Sequence, residues 1–121
     1  MLSSAETGAT VLVVEDYDDT RLLLRMMLEM RGYQVVEAEN GRQAVEVAAK
    51  ENPQLILMDL NLPLLNGFEA TREIHSQPAM RNVPVVAVSA QCAGEYRQRA
   101  LDLVITHIFK LLNCGNERLE N

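Results

Sequence analysis

Short runs of apolar residues alternate along the chain with longer stretches in which apolar residues recur at helical spacing. Four of the runs are apolar nearly throughout, and such strands are typical of parallel sheets that helices cover on both faces. The pattern predicts five strands, at residues 10–14, 33–38, 55–59, 83–88 and 104–109.

Between the strands, the spacing of apolar residues predicts helices, and helix-ending residues lie at their ends. Gly32 follows the first helix, Asn40 offers an N-cap to the second, and Pro53 follows the second. This alternation, with right-handed crossovers, predicts a doubly wound parallel α/β fold. The predicted helices are residues 21–30, 40–52, 66–75 and 91–103.

Composition limits the classes of function. The chain has 121 residues, enough for one domain, of which 48% are hydrophobic, and its net charge of −6 comes without any run of Lys or Arg. Because phosphate contacts need clustered basic side chains, we expect no direct binding of nucleic acid.

No apolar stretch approaches the ~20 residues of a membrane span, and the first residues carry no secretory pattern. Cys92 and Cys114 are too far apart for a CxxC motif, which favours reduced thiols in a cytoplasmic protein.

Polar residues stand at the carboxyl ends of the predicted strands. Glu15 and Asp16 follow the first strand, Asp59 ends the third, Ser89 follows the fourth and Lys110 follows the fifth. In doubly wound folds these ends meet at one edge of the sheet, where ligands bind. Three carboxylates close together repel one another unless a cation compensates their charge. Mg²⁺ suits a site that offers a few carboxylates, water and a phosphate.

This set of side chains also indicates a chemistry. A carboxylate can attack phosphorus and form an aspartyl phosphate, and Asp59 is the candidate nucleophile. Lys110 would add a second positive charge beside the phosphoryl group, and Ser89 would donate a hydrogen bond to it. Taken alone, an Asp at a strand end is more often a loop or capping residue, so the prediction depends on the whole set.

Four stretches resemble the receiver domain of two-component response regulators, of the chemotaxis-regulator type. They are VLVVEDYDD, LILMDLNLPLLNG, VPVVAVSA and FK, and the resemblance covers about residues 10–110. It implies a flavodoxin-like, five-stranded parallel sheet of strand order 2-1-3-4-5. It also implies a phosphorelay protein that receives a phosphoryl group from a sensor histidine kinase or a histidine phosphotransfer protein and switches the binding of an output protein. Such a protein is not an enzyme, beyond catalysing its own phosphorylation and dephosphorylation.

The resemblance further implies roles for individual residues. Asp59 is the expected phosphoacceptor, with Ser89 and Lys110 beside the phosphoryl group. The expected switch residues are Ser89 and His107. The expected Mg²⁺ ligands are Glu15, Asp16, Asp59 and the backbone carbonyl of Asn61.

The C-terminal part of the chain departs from the family pattern. His107 stands where receivers often have Tyr or Phe, Leu111 stands where they usually have Pro, and the common Gly-x-Asp element before the fifth strand is missing. We therefore expect residues 1–9 to be a flexible tail and residues 10–121 to form a receiver domain whose C-terminal segment is atypical from about residue 111. The fifth helix is expected to be weak or missing, because Gly115 lies within a mostly polar stretch. The first helix, apolar nearly all round, would then lack a cover, which predicts a homodimer.

Two alternatives stay open at the level of the sequence. The altered C-terminal region allows a receiver-fold interaction module that phosphorylation no longer switches. A phosphatase of the haloacid-dehalogenase type also uses an Asp nucleophile at a strand end. That family needs a second Asp two positions later, where this chain has Asn61.

Overall fold

A computed structural model describes residues 8–59 and 67–88 of the chain. Within these residues the chain forms a four-stranded parallel sheet with the strand order β2-β1-β3-β4. The strands are β1 (Thr10–Val14), β2 (Gln34–Ala38), β3 (Leu55–Asp59) and β4 (Val85–Val88). The helices are α1 (Asp18–Met30), α2 (Gly41–Glu51) and α3 (Gly67–His75), with a 3₁₀ turn at Pro78–Met80.

The register of the sheet confirms the predicted doubly wound parallel fold for these four strands. Val14 of β1 pairs with Ala38 of β2 on one side and with Met58 of β3 on the other. Asp59 of β3 pairs with Val88 of β4. The fourth helix, the fifth strand and the weak fifth helix predicted from the sequence lie outside the described residues.

The two central strands form the middle of the core, as their apolar sequences predict. Every side chain from Val11 to Val14 and from Leu55 to Met58 is buried. Strands of this kind are stable only when helices cover both faces of the sheet. Small residues of α2 and α3 supply part of that cover, because Ala44, Ala48 and Ala70 are buried in the same cluster.

Helix α1 begins earlier than the sequence predicted. The expected start was Arg21, whereas the helix begins at Asp18 after Tyr17, whose side chain makes no capping hydrogen bond. Asp18 and Asp19 lie in the first turn, where negative side chains interact favourably with the helix dipole although Asp is a poor helix former elsewhere. The predicted end is confirmed: Gly32 has a positive φ of 89°, which glycine adopts without a steric penalty.

Helix α2 has the predicted N-cap and ends before Pro53, as the sequence predicts. Its N-cap Asn40 accepts a hydrogen bond from the amide of Gln43, and the Gln43 side chain accepts one from the amide of Glu39. The first bond satisfies a backbone donor that a helix start otherwise leaves unbonded, and the second fixes the residue that precedes the N-cap. The helix ends before Asn52, which takes a left-handed conformation, and Pro53 follows.

Two strands begin slightly later than predicted. β2 begins at Gln34, because the amide of Tyr33 bonds to the carbonyl of Leu28 in the turn that closes α1. β4 begins at Val85 rather than Val83, because the amide of Val83 bonds to Met80 in the preceding turn. No helix in the described parts of the chain is both long enough and apolar enough to cross a membrane.

Candidate functional site

The pairing of β1 with β3 positions the acidic residues of the site. Val14 and Met58 are partners in the register, so the residues that follow them, Glu15 and Asp59, lie side by side at this end of the sheet. The amide of Glu15 donates a 3.0 Å hydrogen bond to the carbonyl of Ala38. This bond continues the contact between β1 and β2 by one residue, so the backbone of Glu15 is fixed by the sheet.

The structure brings together three of the carboxylates singled out from the sequence. One carboxylate oxygen from each of Glu15, Asp16 and Asp59 lies within 4.8 Å of the other two. Glu15 and Asp59 are buried, whereas Asp16 is exposed at the mouth of the group. Oxygen ligands in this number, with one side open to water, fit a small hard cation that keeps part of its hydration shell.

The electrostatics of the cluster favour a positive charge at its centre. Burial raises the pKa of Glu15 from 4.5 to about 7; a hydrogen bond from the amide of Tyr17 opposes this shift, and the neighbouring Asp59 and Asp16 add to it. A raised pKa means that the ionised form is destabilised by its surroundings. A cation among the three carboxylates would remove that penalty by replacing the proton.

The loop between β1 and α1 is held by two further hydrogen bonds. The amide of Tyr17 donates to Oε2 of Glu15 at 3.0 Å, which fixes the side chain of Glu15. Nη1 of Arg21 donates to the backbone carbonyl of Glu15 at 2.9 Å. The sequence assigned Arg21 only to the start of a helix, so its contact with this loop is a finding of the structure. The available signal was its place five residues after Asp16.

The guanidinium of Arg21 is itself surrounded by carboxylates. Nη2 lies 2.6 Å from Oδ1 of Asp18 and 3.9 Å from Oε2 of Glu39, and Nε lies 3.8 Å from Oε1 of Glu37. The side chain of Arg21 is only 13% exposed. It therefore joins the first turn of α1, the end of β2 and the loop that carries the acidic pair.

The other residues singled out from the sequence lie outside the described parts of the chain. These are Asn61, Ser89, His107 and Lys110. Ser89 directly follows Val88, the partner of Asp59 in the register of β3 and β4. Its position in the chain is therefore next to a residue whose backbone lies beside the candidate phosphoacceptor.

A cavity of about 400 Å³ lies between α3 and β4, close to the end of β3. His75 borders it, and Nε2 of His75 lies 2.8 Å from the carbonyl of Val83. This bond links the end of α3 to the segment that leads into β4, so it accounts for His75 as a structural residue. The cavity is lined by Met58, Gly67, Phe68, Thr71, His75, Val83, Pro84, Val85 and Ala87.

The comparisons with known proteins agree on one family. The model of the response regulator receiver domain matches residues 11–113. Protein PilH of Pseudomonas aeruginosa is 40% identical over 83 residues, which are 69% of this chain and 69% of PilH. The polar-differentiation response regulator DivK of Brucella anthropi is 37% identical over 81 residues, which are 67% of this chain and 66% of DivK.

A solved structure adds information about metal binding in a similar protein. It is the receiver domain of a sensor histidine kinase from Pseudomonas aeruginosa PAO1, with a magnesium ion coordinated in its active site cleft. It is 38% identical in sequence, covers 78% of each chain and superposes with a TM-score of 0.66. The acidic cluster of the present chain thus has the ligand chemistry for the kind of ion that this similar protein holds.

Proposed function

This chain belongs to the response regulator receiver domain family, and on that basis we propose that it accepts a phosphoryl group on Asp59 from a histidine of a sensor kinase or a phosphotransfer protein. The observation that carries the proposal is the position of Asp59, at the end of β3 and within 4.8 Å of the ligand atoms of Glu15 and Asp16. Members of this family are signalling regulators rather than enzymes that act on other substrates. Family membership therefore argues against the phosphatase alternative.

In the proposed reaction, a carboxylate oxygen of Asp59 attacks the phosphorus, and the bond from phosphorus to the donor histidine breaks. Glu15, Asp16 and Asp59, with the backbone carbonyl of Asn61, are the residues that would hold Mg²⁺. When bound, Mg²⁺ offsets the negative charge that gathers on the phosphoryl group. The pKa of Glu15, raised to about 7, supports this ligand set, because the crowding of carboxylates that contributes to the shift is what a cation relieves.

The proposed response to phosphorylation involves residues at the ends of the later strands. Ser89 would donate a hydrogen bond to a phosphoryl oxygen, Lys110 would pair with its charge, and His107 would take part in the switch. Phosphorylation adds about −1.5 to −2 charges at neutral pH, which is enough to bias a two-state element. The proposed outcome is a change in the affinity of an output protein in the cytoplasm.

An intact-mass measurement tests the proposal. Incubation with acetyl phosphate and Mg²⁺ should add the mass of one phosphoryl group, and hydroxylamine should remove it because an acyl phosphate is labile to that nucleophile. Asp59→Asn should abolish the addition. Asp19→Asn is the matched control, since Asp19 is an exposed acid in the first turn of α1.

The outcomes separate the proposals. Equal labelling of Asp59→Asn and wild type would show that another residue is the acceptor. If wild type and Asp19→Asn are both folded but wild type takes no phosphoryl group, the result would favour the alternative of an interaction module that phosphorylation does not switch.

We also propose that the chain self-associates through α1. Leu22, Met26 and Met30 lie at successive helical turns and are 54%, 52% and 84% exposed. They form an apolar stripe on the side opposite to the buried Thr20, Leu24 and Leu28. Apolar stripes of this kind are often covered by a partner, and a second copy of α1 would match the stripe in shape and chemistry.

A further inference from the structure

We propose that Arg21 is a positioning residue for the metal ligands: its guanidinium holds the peptide group that joins Glu15 to Asp16. This inference rests on the proposed function, because it concerns the same site. Arg21 lies on α1 and contributes no oxygen ligand, so it acts only through the residues that it holds.

The contact is placed where it constrains both neighbouring ligands. Nη1 of Arg21 donates a 2.9 Å hydrogen bond to the carbonyl oxygen of Glu15. That oxygen belongs to the planar peptide group whose other end is the nitrogen of Asp16. Fixing the oxygen therefore limits rotation of the whole peptide plane and, with it, the direction in which the side chain of Asp16 leaves the backbone.

The other end of Glu15 is fixed by the sheet. The Glu15 amide bonds to the carbonyl of Ala38 at 3.0 Å, and its side chain accepts a 3.0 Å bond from the amide of Tyr17. The hydrogen bond from Arg21 to the Glu15 carbonyl thus restrains the part of the backbone that leads from Glu15 into the loop. Glu15 is held by the sheet, whereas the orientation of Asp16 depends on the peptide that Arg21 holds.

Arg21 is well placed to act as a rigid support. Its guanidinium is a planar fork of five donors with a permanent charge, and the carboxylates of Asp18, Glu37 and Glu39 lie within 2.6–3.9 Å of it. These contacts come from α1 and from the end of β2. They orient the fork so that Nη1 faces the loop.

Arg25 provides an internal control for the general effects of charge and helix packing. It lies one turn later on α1, and its partners among the described residues are Glu29 at 3.1 Å and Glu37 at 3.3 Å. It therefore shares Glu37 with Arg21, but its side chain is 44% exposed and bonds to side chains of α1 and β2 rather than to the loop. If Arg21 merely neutralised acids or tied α1 to β2, loss of either arginine would have similar effects.

The test combines Mg²⁺ titration with hydrogen exchange of the metal-free protein. For Arg21→Gln we expect the Kd for Mg²⁺ to rise about 10- to 100-fold, the range typical when a residue that orients metal ligands is lost. Arg21→Lys should lie between Arg21→Gln and wild type, because an ammonium lacks the planar fork. Arg25→Gln should stay within about twofold of wild type, as expected for the loss of exposed ion pairs.

Hydrogen exchange reports on the loop without any metal. The amide of Tyr17 bonds to the Glu15 side chain. This amide should exchange faster in Arg21→Gln than in wild type, and its exchange rate should be unchanged in Arg25→Gln. If Arg21→Gln does not fold, Arg21→Lys supplies both measurements, with a smaller expected change in the same direction.

The results distinguish this inference from the proposed function. If wild type binds Mg²⁺ and the Arg21 variants bind it equally well, this inference is wrong and the proposed function stands. If Arg21→Gln and Arg25→Gln lose Mg²⁺ affinity equally, the effect is one of charge and the inference is again wrong. If wild type binds no Mg²⁺ and takes no phosphoryl group, both fail.

Discussion

Asp59 of β3 lies opposite Val88 of β4 in the register of the sheet. Because Ser89 follows Val88 directly, the candidate hydroxyl is one residue beyond the partner of the candidate phosphoacceptor. The first prediction concerns the role proposed for Ser89 beside a phosphoryl group on Asp59.

Ser89→Ala should still be phosphorylated on Asp59 but should lose most of the structural response. The hydroxyl is not needed for the attack of the carboxylate on phosphorus, whereas its hydrogen bond would stabilise the phosphorylated conformation. Intact mass measures the first effect, and amide chemical shifts of Val85–Val88 with and without acetyl phosphate measure the second. Phosphorylation-induced shifts as large as those of wild type would contradict the role of Ser89 in switching.

The raised pKa of Glu15 predicts how stability depends on pH. Since the folded pKa is about 7 and the ordinary value is 4.5, the folded state binds more protons than the unfolded state between these values. The free energy of unfolding without Mg²⁺ should therefore fall as the pH rises through this window. The fall should be on the order of 3 kcal/mol, because the shift spans from 4.5 to about 7 and one pKa unit corresponds to about 1.4 kcal/mol.

Urea unfolding in the presence of a chelator measures this effect. Glu15→Gln should flatten the pH dependence between about pH 5 and pH 8, and Mg²⁺ should restore stability to wild type at the upper end. A wild-type curve parallel to that of Glu15→Gln would mean that Glu15 ionises normally in the folded protein.

Asp59→Asn should stabilise the metal-free protein above neutral pH. Asp59 is a buried carboxylate beside Glu15 and contributes to raising the pKa of Glu15. Removing its charge should increase the free energy of unfolding by on the order of 1 kcal/mol. The same urea experiment measures it, with Asp19→Asn as control; equal changes in the two variants would show that the gain is not specific to the site.

Gly32→Ala should destabilise the fold. The backbone at Gly32 has a φ of 89°. A residue with a side chain adopts a positive φ at a cost of about 1–2 kcal/mol. Asn52 offers the matched test at the end of α2, where φ is 48°: Asn52→Gly should be neutral to within about 0.5 kcal/mol. Thermal or urea unfolding gives both values, and a neutral Gly32→Ala would show that the turn after α1 can relax.

The exposed stripe of α1 predicts a dimer that a single charge disrupts. Met26→Glu should shift the sedimentation of the chain from dimer to monomer, because it buries a charge in the middle of the stripe. Phe68→Glu is the control, since Phe68 is an exposed apolar residue on α3, outside the stripe. A monomeric wild type would contradict the prediction, as would a dimer that tolerates Met26→Glu.

The sequence predicts the strands and the acidic site for a common physical reason. Uninterrupted apolar runs such as residues 55–58 have few structural alternatives once glycine, proline and acidic residues lie at their ends. Parallel strands then bring their carboxyl ends to one edge, so the order of the strands and their end residues suffice to place Glu15, Asp16 and Asp59 together. The predicted start of α1 was wrong because Asp is unfavourable in the interior of a helix but favourable in its first turn, where Asp18 and Asp19 lie.

The contacts of Arg21 were not predictable in the same way. Its partners include a backbone oxygen and side chains from β2, and no periodicity in the sequence marks such an arrangement. Tertiary packing decides which of several nearby acids a guanidinium meets. Glu37 and Glu39 reach Arg21 only once β2 has paired with β1. The partners of Arg21 are therefore determined only in the folded chain.

The pairing of β1 with β3 also has a consequence for folding. Glu15 follows β1 and Asp59 ends β3, and α1, β2 and α2 lie between them in the chain, so the acids meet only after a long loop has closed. Contacts of this separation form slowly, because closure entropy must be overcome before they contribute any stability. A chain emerging from the ribosome would therefore carry Glu15 and Asp16 well before it could assemble the cluster, and the arrival of β3 would mark the moment at which the three proposed metal ligands can first come together.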